Sequence, residues 1–136
     1  MRSAACAGDG RRGHGEAGAT IVEFLSVAIL TVVALLGVVQ IAVWTWARNV
    51  AVNAAHEGAR VAAEAGRPLD DGIATTRALL RDGLGGGGDA YTVEASEADQ
   101  AVHVAARGEA PSILPFMPHF TVTVQASAFD EDRVAG

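Results

Sequence analysis

Three stretches with different patterning follow one another along the chain: an uncharged apolar run, a helical period of mixed polarity, and a strict alternation of apolar and polar positions. Phe24 to Ala47 is a run of 24 residues without a charge. As a helix it would span about 36 Å at ~1.5 Å per residue, enough to cross a ~30 Å hydrocarbon core with some tilt. The pattern predicts a transmembrane helix over 24–47. Trp44 and Trp46, followed by Arg48, lie at its end, where amphipathic rings and a charge favour the lipid–water boundary. Gln40, with Gly37 a turn earlier, is the main polar interruption. Such a pair marks either a helix–helix contact in lipid or an amide tolerated near the interface. A secretory signal has an apolar core of about 7 to 15 residues with a small-residue cleavage site just after it. This run is longer than that, and Val52 and Ala54, a weak cleavage pair, fall within continuing helix.

The helix leaves the apolar run amphipathic. Asn49, Asn53, His56, Glu57, Arg60 and Glu64 share one face, and Val50, Ala54, Gly58, Val61, Ala62 and Ala65 the other. Glu57, Arg60 and Glu64 form a ladder of opposite charges at i+3 and i+4, each pair contributing a few tenths of a kcal/mol to a solvated helix face. Gly66 and Pro68 supply the stop. A helix starting near Ala19 would therefore run about 70 Å at ~1.5 Å per residue, its second half outside the bilayer. Asp70 and Asp71 are expected to cap a second helix reaching about Arg81, and Gly85 to Gly88 to break the chain as a flexible connector.

Beyond the glycines the period changes to two. Tyr91, Val93 and Ala95 alternate with polar neighbours, as do Val102, Val104 and Ala106, and then Phe120, Val122, Val124, Ala126 and Ala128. Three strands follow, the first two joined by a hairpin turn at Glu97, Ala98 and Asp99, with Gly108 to Pro118 as a longer crossing to the third. The apolar stripe of the long helix is the available cover for one face of this sheet. In the crossing, Ile113, Leu114, Phe116 and Met117 either cap the sheet edge or present an apolar surface to a partner or to lipid. Residues 1–18 are small, polar and dotted with glycine, without an apolar period, and read as a leader.

Composition narrows the function classes. With 136 residues the chain has room for one small domain besides a membrane segment. Ten arginines and no lysine stand against sixteen acids, a net charge of -6, so the basic footprint of a nucleic-acid binder is absent. The mean hydropathy of +0.26 comes largely from the single apolar run. One cysteine, Cys6, allows neither an intrachain disulfide nor a cysteine-based zinc site. His56-Glu57 lacks the second histidine of a zinc helix, and the four glycines lack the lysine and hydroxyl residue of a phosphate loop. His14, His103 and His119 are scattered, and Asp130, Glu131 and Asp132 make a short solvated acidic tail. No catalytic residues, metal site or cofactor are expected.

The most informative residues are Gly18-Ala19-Thr20-Ile21-Val22-Glu23-Phe24, a glycine directly before the apolar helix and a carboxylate five residues after it. This resembles the processing site of type IV pilin-like precursors. Together with the apolar span and Asn53-Ala54-Ala55-His56-Glu57-Gly58-Ala59-Arg60-Val61-Ala62-Ala63, it is similar to the TadE-like family, pseudopilins of the tight-adherence (Flp) pilus machinery. The resemblance covers about Gly18 to Gly66, and departs from the family's usual arginine at His56.

What the resemblance implies is an α+β, pilin-like fold: a long N-terminal transmembrane helix packed on a small three-stranded antiparallel sheet, with one short extra helix. It implies a leader over 1–18, a helix over 19–66 and an extracytoplasmic head over 67–136. It further implies cleavage between Gly18 and Ala19 by a prepilin peptidase on the cytoplasmic side, and assembly roles for Glu23 and Phe24. A carboxylate at the membrane edge costs a few kcal/mol and persists with a partner. The new α-amino group of Ala19 on a neighbouring subunit is a matching cation, and pairing would select one axial register. The alternative at this position is a glutamate that reaches back to the interface, helped by the helix dipole. Implied partners are the peptidase, other pilin or pseudopilin subunits, a polytopic assembly platform with a secretion ATPase, and membrane lipid, with no nucleic acid. Arg11 and Arg12 before the span balance Arg48 and Arg60 after it, so the charge rule leaves orientation open. The processing motif alone implies a cytoplasmic N-terminus. The competing expectation is an uncleaved single-pass protein whose head binds another envelope component.

Overall fold

The computed structural model describes residues 13–64, 66–113 and 118–129. Residues 1–12 of the expected leader, the Leu114, Phe116 and Met117 of the proline-punctuated crossing, and the acidic run at 130–132 lie outside the described residues. The elements in chain order are helix α1 (Gly13–Ala63), helix α2 (Leu69–Leu84), a 3-10 helix (Gly85–Ala90), and strands β1 (Thr92–Ala98), β2 (Ala101–Glu109) and β3 (Thr121–Phe129). This is the expected α+β arrangement, with two units dividing at residues 1–38 and 39–136.

In the first unit α1 is the described structure, and it begins at Gly13 rather than near Ala19. Once nucleated by the apolar run, a helix extends one residue at a time at small cost, and Glu16 and Ala17 favour it. Its apolar side chains are exposed all round, Phe24 by 74% and Leu30 by 69%. The Ser26 and Thr31 hydroxyls donate to the carbonyls of Val22 and Val27, each at 2.8 Å. Hydroxyls so bonded need nothing from the surroundings. One long apolar N-terminal helix of this kind fits a membrane anchor.

The second unit is built on the remainder of α1. Its buried stripe is Ala47, Ala51, Ala54, Ala55, Gly58, Ala59 and Ala62, all small. The centre of this stripe lies along Ala47, Ala51, Ala55 and Ala59. Val50 and Val61, expected on the apolar face, are half-buried at its margin. Val93, Val102, Val104, Ala106, Val122, Val124 and Ala126 from the sheet and Leu80 and Leu84 from α2 complete the core. Small residues on the helix let both neighbours approach its backbone. The helix ends at Ala63, three residues before the expected stop, as Gly66 takes a φ of +76° and Pro68 follows.

Helix α2 corrects two expectations. Its N-cap is Pro68, with no side-chain cap; Asp70 and Asp71 lie in the first turn, where their charges face the positive end of the helix dipole. It also continues past Arg81 to Leu84, because Leu80 and Leu84 are buried in the core. The four glycines wind into the 3-10 helix instead of forming an open connector, with Gly88 buried and placed against the Leu80 carbonyl group.

The sheet is antiparallel in the order β1-β2-β3. Ala98 pairs with Ala101, so the hairpin turn is Asp99-Gln100, one residue beyond the expected position. Both have positive φ, 53° and 64°, the mirror-image turn whose twist matches that of its strands. Strand β2 keeps its pairing through Gly108 and Glu109, and the Ala110 N–H donates to the Phe120 carbonyl at 2.9 Å, closing the base of the crossing.

Candidate functional site

The residues singled out from sequence fall on two segments of α1, one in each unit. In the first, Gly18, Ala19, Glu23 and Phe24 are all exposed. A Cβ on Gly18 would meet nothing within 4 Å, and the residue is not in a positive-φ conformation. Among the described residues neither space nor backbone geometry requires glycine there. The Glu23 carboxylate makes no hydrogen bond or ion pair among the described residues. Phe24 is likewise largely exposed, by 74%.

In the second segment the expected charge ladder forms and extends. Arg60 donates through its terminal nitrogen and Nε to the two Glu57 oxygens at 2.6 and 3.1 Å, and through its other terminal nitrogen to Glu64 at 3.2 Å. Arg67 continues it, with Glu64 at 3.4 Å and Asp71 at 3.3 Å, so the ladder passes from α1 into α2. The hydrogen bonds from Arg60 hold the Glu57 carboxyl below its usual range, and Glu57 in turn raises the Arg60 guanidinium. Exposed pairs of this kind add little to stability singly; here they bridge the turn between the two helices. His56 is exposed beside the ladder and, with Asn53, Arg60, Leu79 and Ser127, lines an open groove of about 750 Å³.

Under this ladder α1 and α2 cross at close quarters. A Cβ on Gly72 would stand 2.5 Å from the Gly58 carbonyl oxygen, and one on Gly58 would stand 2.7 Å from the Gly72 carbonyl oxygen and collide with the Thr76 hydroxyl. That hydroxyl is spent on the Gly72 carbonyl at 2.9 Å. The glycine in His56-Glu57-Gly58 is thus the contact point for the second helix.

Sequence reasoning missed one connection altogether. Gln40 is 3% exposed, and its amide nitrogen donates to the Pro111 carbonyl at 3.3 Å while its oxygen accepts from the Ile113 N–H at 3.2 Å. The lone amide of the apolar run was visible in the sequence; its partner, more than seventy residues on, was not. Gly37, a turn earlier, meets nothing within 4 Å among the described residues.

Among the described residues no three His, Cys, Asp or Glu side chains gather as a metal site. The arrangement is one of contact surfaces: in the first unit an exposed apolar helix with one acid at its edge, and in the second a small head built on an alanine stripe. No curated protein and no solved structure matches the chain. A family model does match: residues 18–60, from the open glycine to the arginine at the centre of the ladder, fit the family described as TadE-like protein.

Proposed function

We propose that this chain is a TadE-like pseudopilin, a minor membrane-anchored subunit that serves in assembling a Flp or Tad-type pilus or a related secretion machinery. The family match carries this reading: it opens at Gly18, takes in the whole apolar run and closes at Arg60. The precursor is cut between Gly18 and Ala19 by a prepilin peptidase at the cytoplasmic face, and the head from residue 67 onward stands on the other side of the membrane. A glycine that packing among the described residues does not require is consistent with a demand made by something outside the chain, such as a peptidase cleft. Removal of residues 1–18 leaves seven arginines against fourteen acids, a net charge of -7. The work is assembly rather than catalysis. Its partners are the peptidase, other pilin or pseudopilin subunits, the assembly platform and membrane lipid.

Intact mass and N-terminal sequencing of protein from cells that contain the peptidase test this. Ala19 is expected as the first residue, and Gly18→Phe is expected to remain uncut. Retention of residues 1–18 by the unaltered protein would replace the reading with that of a plain single-pass anchor.

A further inference from the structure

Gln40 lies eight residues before Arg48, the first charge after the apolar run, roughly 12 Å along the helix at ~1.5 Å per residue. The backbone of the crossing between β2 and β3 is fastened to it, through the Pro111 carbonyl and the Ile113 N–H. In water neither backbone group would need a side-chain partner; away from water both would, and so would the amide. Each satisfies the others. Beside this knot, among the described residues, apolar side chains stand exposed: Ile113 is 48% and Phe120 41% exposed, and Phe120 with Ile41 and Trp44 walls an apolar groove of about 250 Å³, while the exposed His119–Glu109 pair, 3.7 Å apart, adjoins Phe120 outside the groove's lining. A polar headgroup has nothing to bind in the groove, whereas an acyl chain fits such a wall.

We infer that Ile113, Phe120 and the Ile41–Trp44 groove form a lipid contact that dips into the leaflet next to the head, with Gln40 holding the crossing at that depth. The occupant is the acyl chain of a phospholipid. The inference rests on the membrane-anchor reading above. It adds a second attachment that would keep the head from swivelling freely about its helix, so that assembly partners meet it at one height above the bilayer.

The test uses the full chain with Cys6→Ser, reconstituted in phosphatidylcholine vesicles, with an environment-sensitive fluorophore on a cysteine at one position at a time. The positions are Ile113 and Phe120 for the contact, Thr123 on the outer face of the sheet as the aqueous reference, and Leu30 for the span. At 113 and 120 the emission is expected to shift to the blue and to be quenched by phospholipids brominated on their acyl chains, with neither effect at 123. Gln40→Leu is expected to abolish the quenching at 113 and leave that at 30 unchanged. Probes at 113 and 120 that report water while 30 is quenched would overturn the lipid contact and leave the anchor standing. A probe at 30 that escapes quenching would remove the anchor and the contact together. A blue shift at 113 and 120 without quenching would mean that protein covers the surface, and would overturn the proposal.

Discussion

Tyr91 lays its ring across Gly108 of β2 so closely that a Cβ there would stand 2.5 Å from the ring carbons. The glycine leaves a gap in the strand and the aromatic ring fills it, the usual remedy for a glycine in a sheet. The phenol is carried inward by this packing, and its hydroxyl, fully buried, finds no hydrogen-bond partner among the described residues. Burial pushes its pKa above the ordinary tyrosine range. Leaving a buried hydroxyl unpaired costs on the order of 1–3 kcal/mol, whereas the ring contact survives removal of the oxygen. Tyr91→Phe is therefore expected to leave the unfolding free energy unchanged or raise it by about 1 kcal/mol, as read from chemical denaturation in detergent. A loss of similar size would mean that the oxygen is bonded after all.

At the scale of elements, the crossing of α1 over α2 decides how the head is built. Gly58 and Gly72 face each other, backbone against backbone, with Thr76 closing the gap. Two effects of Gly58→Ala oppose one another. Alanine favours a helix interior by about 1 kcal/mol over glycine, while overpacking a closed contact costs about 1–3 kcal/mol. With the Gly72 carbonyl at 2.7 Å from the new carbon the contact should win, so destabilisation is expected. Thr76→Ala should restore part of the loss, a coupling that a double-mutant cycle measures. Stabilisation by Gly58→Ala alone would show that the two helices stand further apart.

For the molecule as a whole, the decisive feature is a carboxylate left unmatched among the described residues. Glu57, Glu64 and Asp71 each have an arginine within 3.4 Å, yet Glu23, at the edge of the apolar run, has none among the described residues. A charge in that position costs a few kcal/mol unless it is paired, and the proposed partner is the α-amino group of another copy's Ala19. Glu23→Ala should accordingly be trimmed as the unaltered protein is, then fail to co-purify with the other pilin subunits and fail to support pili. Normal pilus formation by this variant would remove the pairing.

How much of this was legible in the sequence follows from how far each signal reaches along the chain. The apolar run, the amphipathic period after it, the arginine ladder and the three alternating strands are written in neighbouring residues, since helix and strand periods repeat every few positions. From these alone the α+β arrangement and its order were readable, and so was the segment that matches the TadE-like family. The hairpin turn was misjudged by one residue because Asp99 and Gln100 adopt a positive φ only when the flanking pairs close on each other. The end of α2 and the winding of the four glycines were settled by burial of Leu80, Leu84 and Gly88. The alanine line from Ala47 to Ala59 became the centre of the core because sheet and second helix approach α1 from two sides, and only the smallest side chains admit both. Gln40 finds its partners at Pro111 and Ile113 for the same kind of reason: a buried amide is satisfied by whatever backbone the fold brings beside it, however distant along the chain.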